Sequence, residues 1–144
     1  MPTKTLNFRK FNIFTKDLID GKHNFTSNTF KVALTNTAPA LTNTVLANIT
    51  QVAAAGGYTT GGTTVTVTTS TASGVAKVVI ADKTITSVED SNGNIPTFRY
   101  AVLYNDTASG DPLIGYIDYE EEITLVDTEE FILNFNDTSG LFTI

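Results

Sequence analysis

From residue 29 to its C-terminal end, the chain is a series of short segments in which apolar and polar residues alternate. In Thr29–Asn36 the apolar positions are Phe30, Val32 and Leu34, and in Thr63–Thr69 two valines alternate with threonines. A period of two is typical of strands with one buried face. Further strand candidates are bounded by Gly, Asp, Asn or Pro: Ala76–Ala81, Thr84–Val88, Thr97–Asn105, Leu113–Tyr119, Ile123–Val126, Glu130–Asn136 and Leu141–Ile144. Such short, closely spaced strands predict an antiparallel sandwich.

One segment near the N-terminus has a helical period instead. In residues 8–20 the apolar positions recur every three or four residues: Phe8, Phe11, Phe14 or Thr15, Leu18 and Ile19. Gly21 is a suitable helix stop. The predicted fold is therefore all-β, an antiparallel β-sandwich with one N-terminal α-helix. Residues 1–27 form the arm and amphipathic helix and residues 28–144 the sandwich, within a single domain.

The alternation also predicts which strand residues form the core. The predicted core residues are Val32, Leu34, Val65, Val67, Val78, Ile80, Phe98, Tyr100, Val102, Ile132 and Leu133 or Phe135. Because the side-chain period of a strand is two, a register error of one residue would move a whole set to the other face.

Composition excludes many kinds of chemistry. The chain is 41% hydrophobic and 17% charged, which is typical of a globular protein, and no stretch has the roughly 18 apolar residues of a membrane span. There is no cysteine, so disulfides, thiolate nucleophiles and cysteine-ligated metals are excluded. The one histidine, His23, follows the predicted helix end, where the negative end of the helix dipole favours a cation, so it is interpreted as a helix cap, with a catalytic base as the alternative. We expect no enzymatic activity and no cofactor.

Three loop motifs are candidate ligand sites. Gly56–Gly62 places a tyrosine between glycine pairs, and this glycine density predicts left-handed backbone or a long loop. It lacks the lysine of a phosphate-binding loop, so a nucleotide site is not expected. Asp90–Asn94 begins like a calcium loop, but isoleucine and alanine stand at its sixth and twelfth positions, so it predicts a turn. The carboxylates at 118 and 120–122 are interpreted as an acidic loop tip, with a weak calcium site as the alternative.

Charge is distributed unevenly along the chain. Residues 1–31 carry six basic and two acidic side chains, a net charge of +4, whereas residues 32–144 carry three basic and thirteen acidic ones, a net charge of −10. A basic arm on an acidic body favours docking onto an acidic protein surface. The alternative is that the lysines lie on a helix face and a terminus that only contact solvent.

We expect neither nucleic acid nor a membrane as a partner. An acidic body repels phosphates, and no run interleaves basic and aromatic residues. No secretory signal is evident.

Four segments in order carry a family resemblance: Phe30–Pro39 (FKVALTNTAP), Gly56–Gly62 (GGYTTGG), Phe98–Asp106 (FRYAVLYND) and Pro112–Tyr119 (PLIGYIDY). Together they resemble a group of small virion proteins of tailed bacteriophages, whose members begin with a helix and end in a β-rich half. The resemblance covers most of the chain and brings no catalytic residues. The chain departs from it in its acidic segment Glu120–Glu130.

The resemblance implies a structural component of a phage particle, assembled in the bacterial host cytoplasm and located in the virion. The first expectation is a capsid decoration or cement protein. The alternatives are a tail or head–tail connection subunit, and a host-surface or carbohydrate-binding module. Expected partners are the major capsid protein or other virion proteins, and the chain is expected to form a homo-oligomer.

Six residues are the candidate partner contacts. Five come from the basic arm and the helix and one from the glycine-rich loop: Lys4, Arg9, Lys10, Phe11, Lys16 and Tyr58.

Overall fold

A computed structural model describes residues 8–135 and 140–143, together with the backbone of residues 3 and 4. Its helices are α1 (Asn12–Ile19) and a single 3₁₀ turn at Leu46–Asn48. Its strands, in chain order, are β1 (Thr3–Lys4), β2 (Phe8–Lys10), β3 (Phe30–Thr35), β4 (Thr63–Val65), β5 (Val67–Ala72), β6 (Val75–Ile80), β7 (Lys83–Thr86), β8 (Phe98–Asn105), β9 (Leu113–Ile123), β10 (Glu130–Leu133) and β11 (Phe142–Thr143). The predicted all-β fold with one α-helix is confirmed.

The strands form three sheets. The largest has the order β2-β9-β8-β3-β4, and all of its pairs are antiparallel. Two three-stranded sheets have the orders β1-β10-β7 and β11-β6-β5. Only the short β1–β10 pair is parallel among the described strands. The large sheet forms one layer of the sandwich, and the two small sheets pack against its inner face.

One hydrophobic core lies between the layers. β3 and β8 contribute Phe30, Val32, Leu34, Phe98 and Leu103, and the small sheets contribute Val78, Ile80, Phe131 and Leu133. Most of the predicted core residues are buried there. In and after β10, the predicted Leu133 and Phe135 are buried together with Phe131, whereas the predicted Ile132 is only half-buried. Val67 is likewise half-buried at the core margin.

A second core covers the outer face of the large sheet. Tyr100 and Val102 belong to it rather than to the inner core, together with Phe11, Leu113 and Tyr116. Leu46 of the 3₁₀ turn and Ile13 of α1 pack against this group. Strand β8 is therefore buried on both faces, which is why its sequence has a nearly continuous apolar run instead of a clean alternation.

The predicted helix over residues 8–20 is wrong at its N-terminal end. Phe8 lies in β2 opposite Ile117 of β9, and the N–H of Phe11 donates to Ile114 O at 3.0 Å, so these residues extend the large sheet. The helix begins at Asn12. The spacing of the apolar residues does not distinguish the strand from the helix here. Phe8 and Phe11 point to opposite sides of an edge strand that leads directly into the helix.

Two other strand boundaries differ from the prediction. Thr63–Thr69 breaks at Thr66 into β4 and β5, which belong to different sheets. Ile123–Val126 is not a separate strand, because Ile123 ends β9, residues 124–126 have no regular structure, and a turn follows at Asp127 and Thr128. The last residues of the predicted segments Glu130–Asn136 and Leu141–Ile144 lie outside the described residues.

Candidate interaction surface

The most exposed large apolar side chain in the described part of the chain is Ile19, at 84%. It ends α1 beside a groove of about 260 Å³. The groove walls are mostly apolar, and its lining residues are Lys10, Phe14, Thr15, Leu18, Ile19, Phe142 and Thr143. We call this the α1 surface. It combines exposed apolar area with neighbouring cations.

Helix α1 has this open surface because only one side of it is anchored. Phe14 is buried, and its ring lies 5.3 Å from that of Phe142 and 5.5 Å from that of His23. Asp17 is also buried and is paired with Lys22 Nζ at 3.2 Å. The predicted amphipathic helix therefore buries Phe14 and half-buries Leu18, whereas Ile19 faces outward.

The basic segment is partly neutralised within the chain. Lys16 pairs with Asp20, Lys22 with Asp17, and Lys31 Nζ lies 3.5 Å from Asp106. Arg9 and Lys10 are exposed on β2, the edge strand that leads into α1. The side chain of Lys4 lies outside the described residues. Lys10 is therefore the cation that lines the α1 surface, whereas Lys16 is paired with Asp20 and Arg9 lies near Asp118.

Two of the six candidate contact residues are not at the surface. Phe11 is buried in the outer core, where its ring lies 5.4 Å from that of Tyr116. Tyr58 is buried beneath the glycine-rich loop. The prediction that these two side chains contact a partner is therefore wrong. The aromatic character that suggested a contact instead serves the two cores.

The glycine-rich loop has the predicted left-handed backbone. Gly56, Gly57, Gly61 and Gly62 all have positive φ. A Cβ on Gly62 would fall on the carbonyl oxygen of Val32, so the loop passes directly against β3. A cavity of about 220 Å³ lies beside it, between Leu34 and Tyr58 on one side and Thr84–Thr86 on the other.

His23 is not the charged helix cap that the sequence suggested. Its ring is buried among Phe14, Phe25 and Phe30. Burial lowers the pKa of His23 below its ordinary value, against the opposing effect of Asp17. The Asn105 amide nitrogen lies 3.1 Å from Nδ1, whereas Nε2 has no partner. A neutral imidazole that accepts from Asn105 at Nδ1 fits this environment.

The carboxylates at 118 and 120–122 lie in a bulge within β9, not at a loop tip. Phe98 pairs with Ile123 and Tyr100 with Asp118, so β9 has three more residues than β8 in this interval. Asp118 accepts two hydrogen bonds from Arg99, at 2.9 and 3.2 Å. The Arg99 guanidinium lowers the pKa of Asp118, and Arg9 adds to the effect. Glu122 accepts from the Asn36 amide at 2.6 Å.

The Asp90–Asn94 motif forms the predicted turn. Asp90 and Gly93 exchange backbone hydrogen bonds of 3.1 and 2.9 Å. The Asp90 carboxylate accepts from the backbone N–H groups of Gly56 and Asn92. Its oxygens thus hold the glycine-rich loop and the turn together. Within the described residues, no group of three His, Asp or Glu side chains is arranged to hold a metal ion.

No helix in the described ranges has the length and hydropathy needed to cross a membrane. A scan against protein-family models gave no match, and neither did searches of curated proteins and of solved structures.

Proposed function

We propose that this protein is a structural component of a tailed bacteriophage particle, a decoration or cement protein that binds the assembled capsid shell through its α1 surface. The proposal rests on the four ordered segments that resemble small phage virion proteins. The observation that connects the proposal to one surface is the exposed Ile19 at an apolar groove that Lys10 also lines.

The α1 surface suits a protein partner for two physical reasons. Fully burying an isoleucine side chain is worth about 1.5–3 kcal/mol, so covering Ile19 and the groove is a source of affinity. The cations on β2 would steer the surface toward an acidic partner and would contribute less as salt rises. The partner expected here is the major capsid protein or another virion protein, and the expected place of action is the virion.

The carbohydrate-binding alternative receives less support. Sugar-binding grooves commonly present several exposed aromatic rings. All five tyrosines, Tyr58, Tyr100, Tyr104, Tyr116 and Tyr119, are buried in this fold. A tail or head–tail subunit would use the same kind of protein-binding surface, so the position in the particle separates it from a decoration protein.

The test uses phage particles that lack this protein. Purified wild-type chain is added, and the bound fraction is measured after the particles are sedimented. The variant Ile19→Asp places a charge at the groove rim. Val88→Asp is the matched control, because Val88 is also an exposed apolar residue, at 56%, and is not among the groove-lining residues.

We expect wild type and Val88→Asp to bind alike and Ile19→Asp to bind at least about tenfold more weakly. Binding of wild type should also weaken as salt rises from about 0.05 to about 0.5 M. Equal binding by all three proteins would contradict the assignment to the α1 surface. No binding of wild type to the particles would contradict the decoration function itself.

A further inference from the structure

Strands β5 and β6 form a hairpin that extends beyond the body of the molecule. Every residue from Thr68 to Ala76 is exposed, whereas Val78 and Ile80 at the base of the hairpin are buried. The turn at Ser73 and Gly74 has positive φ at both residues, which is the tight two-residue turn that matches strand twist. The hairpin therefore presents a regular ladder to solvent.

One long side of this hairpin is an open sheet edge. In the order β11-β6-β5, strand β5 is terminal, and no other described strand pairs with it. Ala72 and Val75 flank the two-residue turn and form a hydrogen-bonded pair, so Ser70 and Thr68 also bond inward. The N–H of Ala81 donates to Thr66 O at 2.9 Å, in agreement with this alternation. The backbone groups of Val67, Thr69 and Thr71 consequently point outward.

This edge lacks the features that protect most edge strands from pairing. Natural edges are commonly blunted by charged side chains, proline or bulges. β5 contains no charge and no proline, and its register with β6 runs without a shift. Its threonines favour extended backbone.

The absence of charge extends well beyond β5. Between Lys31 and Lys77 the sequence contains no Asp, Glu, Lys or Arg. Two copies of a chain with net charge −6 repel each other over most orientations, but this region can approach its own copy without placing like charges together.

We propose that β5 is a self-association edge, which pairs in antiparallel fashion with β5 of a second copy about a two-fold axis at Thr69. In that register Thr69 faces Thr69 of the second copy, and Val67 faces Thr71. Each of these pairs exchanges both of its backbone hydrogen bonds. The product is a continuous six-stranded sheet with the order β11-β6-β5-β5-β6-β11.

A second copy is the occupant that the chain itself supports. A two-fold interface uses the same patch on both sides, so a neutral edge automatically meets a neutral edge. The contact is small, and contacts below about 1,200 Å² per interface are typical of weak complexes. We therefore expect a dissociation constant in the micromolar range, with tighter association when copies are held close together on a surface.

Sedimentation of the full chain over about 1–500 µM tests the proposal. Thr69→Pro removes an outward N–H and places the proline ring on the open edge, without removing a bond to β6. Thr69→Val is the matched control, because it changes the side chain and keeps the backbone edge. We expect the wild type and Thr69→Val to dimerise alike and Thr69→Pro to dimerise at least about tenfold more weakly.

A charge pair at the same exposed position gives an independent readout that needs no proline. Thr69→Lys and Thr69→Glu each face their own charge across the two-fold axis, so each alone should dimerise more weakly than wild type. Their equimolar mixture should form a heterodimer about fivefold tighter than either variant alone. Circular dichroism of each variant checks that it is folded.

A monomeric wild type across this concentration range would overturn the proposal. So would dimerisation of folded Thr69→Pro at wild-type strength, or a charge mixture that associates no better than its components. All of these measurements use the purified chain without particles, so they remain separate from the test of capsid binding.

Discussion

The phenolic oxygen of Tyr58 accepts a hydrogen bond from the backbone N–H of Leu34 at 3.1 Å. Strand β4 pairs with β3 only from Phe30 to Val32, so Tyr58 continues the ladder with a side chain where the strand has ended. The same hydroxyl donates to Gln51 Oε1 at 2.8 Å, and that oxygen also accepts the N–H of Gly61. A buried tyrosine thus joins the glycine-rich loop to the edge of the large sheet.

Removing this hydroxyl should destabilise the fold. In Tyr58→Phe the N–H of Leu34 remains buried without an acceptor, which costs about 1–3 kcal/mol. The matched control is Tyr100→Phe, because Tyr100 is also buried and no backbone N–H among the described residues donates to its hydroxyl. Urea unfolding should show a loss for Tyr58→Phe and a change below about 0.5 kcal/mol for Tyr100→Phe. Equal effects would mean that the Tyr58 hydroxyl contributes nothing specific.

Gly62 should tolerate no side chain. Its φ is +83°, and an added Cβ would collide with the Val32 carbonyl group, which belongs to the backbone of β3. Gly74 has a similar φ of +79° with open space around it, so Gly74→Ala isolates the conformational cost of about 1–2 kcal/mol. We expect Gly62→Ala to lose clearly more stability than Gly74→Ala in thermal unfolding. A similar loss in both would show that the loop can move away from β3.

Leu34 tests the register of the central strand. It is fully buried in the inner core, so Leu34→Ala should cost about 2–5 kcal/mol. Leu41, which is 42% exposed, is the control, and Leu41→Ala should cost less than about 1 kcal/mol. A loss below about 1 kcal/mol at Leu34 would place that side chain on the wrong face of β3.

His23 should make stability depend on pH. Burial lowers its pKa in the folded protein below the unfolded value of 6.5, so the unfolded chain binds the proton more readily. The free energy of unfolding should therefore fall as pH drops from about 7.5 through 6.5 toward the lower folded pKa. Urea unfolding at about pH 7.5 and about pH 5 should show a larger loss for wild type than for His23→Phe, which cannot titrate. A larger loss in the variant would contradict the assignment of a buried neutral ring.

Period-two alternation located the strands well where one face is buried and the other is wet. β6 has this character, and its predicted residues Val78 and Ile80 are in the core. Val32 and Leu34 of β3 are also in the core, although Ala33 and Thr35 on the other face of that strand are buried as well. The method could not separate the two cores, because a strand covered on both faces, such as β8, loses its alternation.

The candidate contact residues were predicted less well, for a physical reason. Charge and aromatic content in the sequence do not report burial, so Phe11 and Tyr58 were grouped with Arg9 and Lys10 although they belong to the interior. The sequence does not predict the exposure of Ile19 either, because Ile19 belongs to the same series of apolar positions as Phe8 and Leu18. Because residues 8–10 form a strand, the helix is short, and Ile19 is its exposed last residue.

Imaging of the phage particle in which we propose that this protein is located tests the central proposal most directly. Density that fits the sandwich should lie on the outside of the capsid shell, repeated in hundreds of copies, with the Ile19 end of α1 against the capsid protein. Density confined to a ring of about six or twelve copies at the neck or tail would contradict the decoration function and leave the fold unchanged.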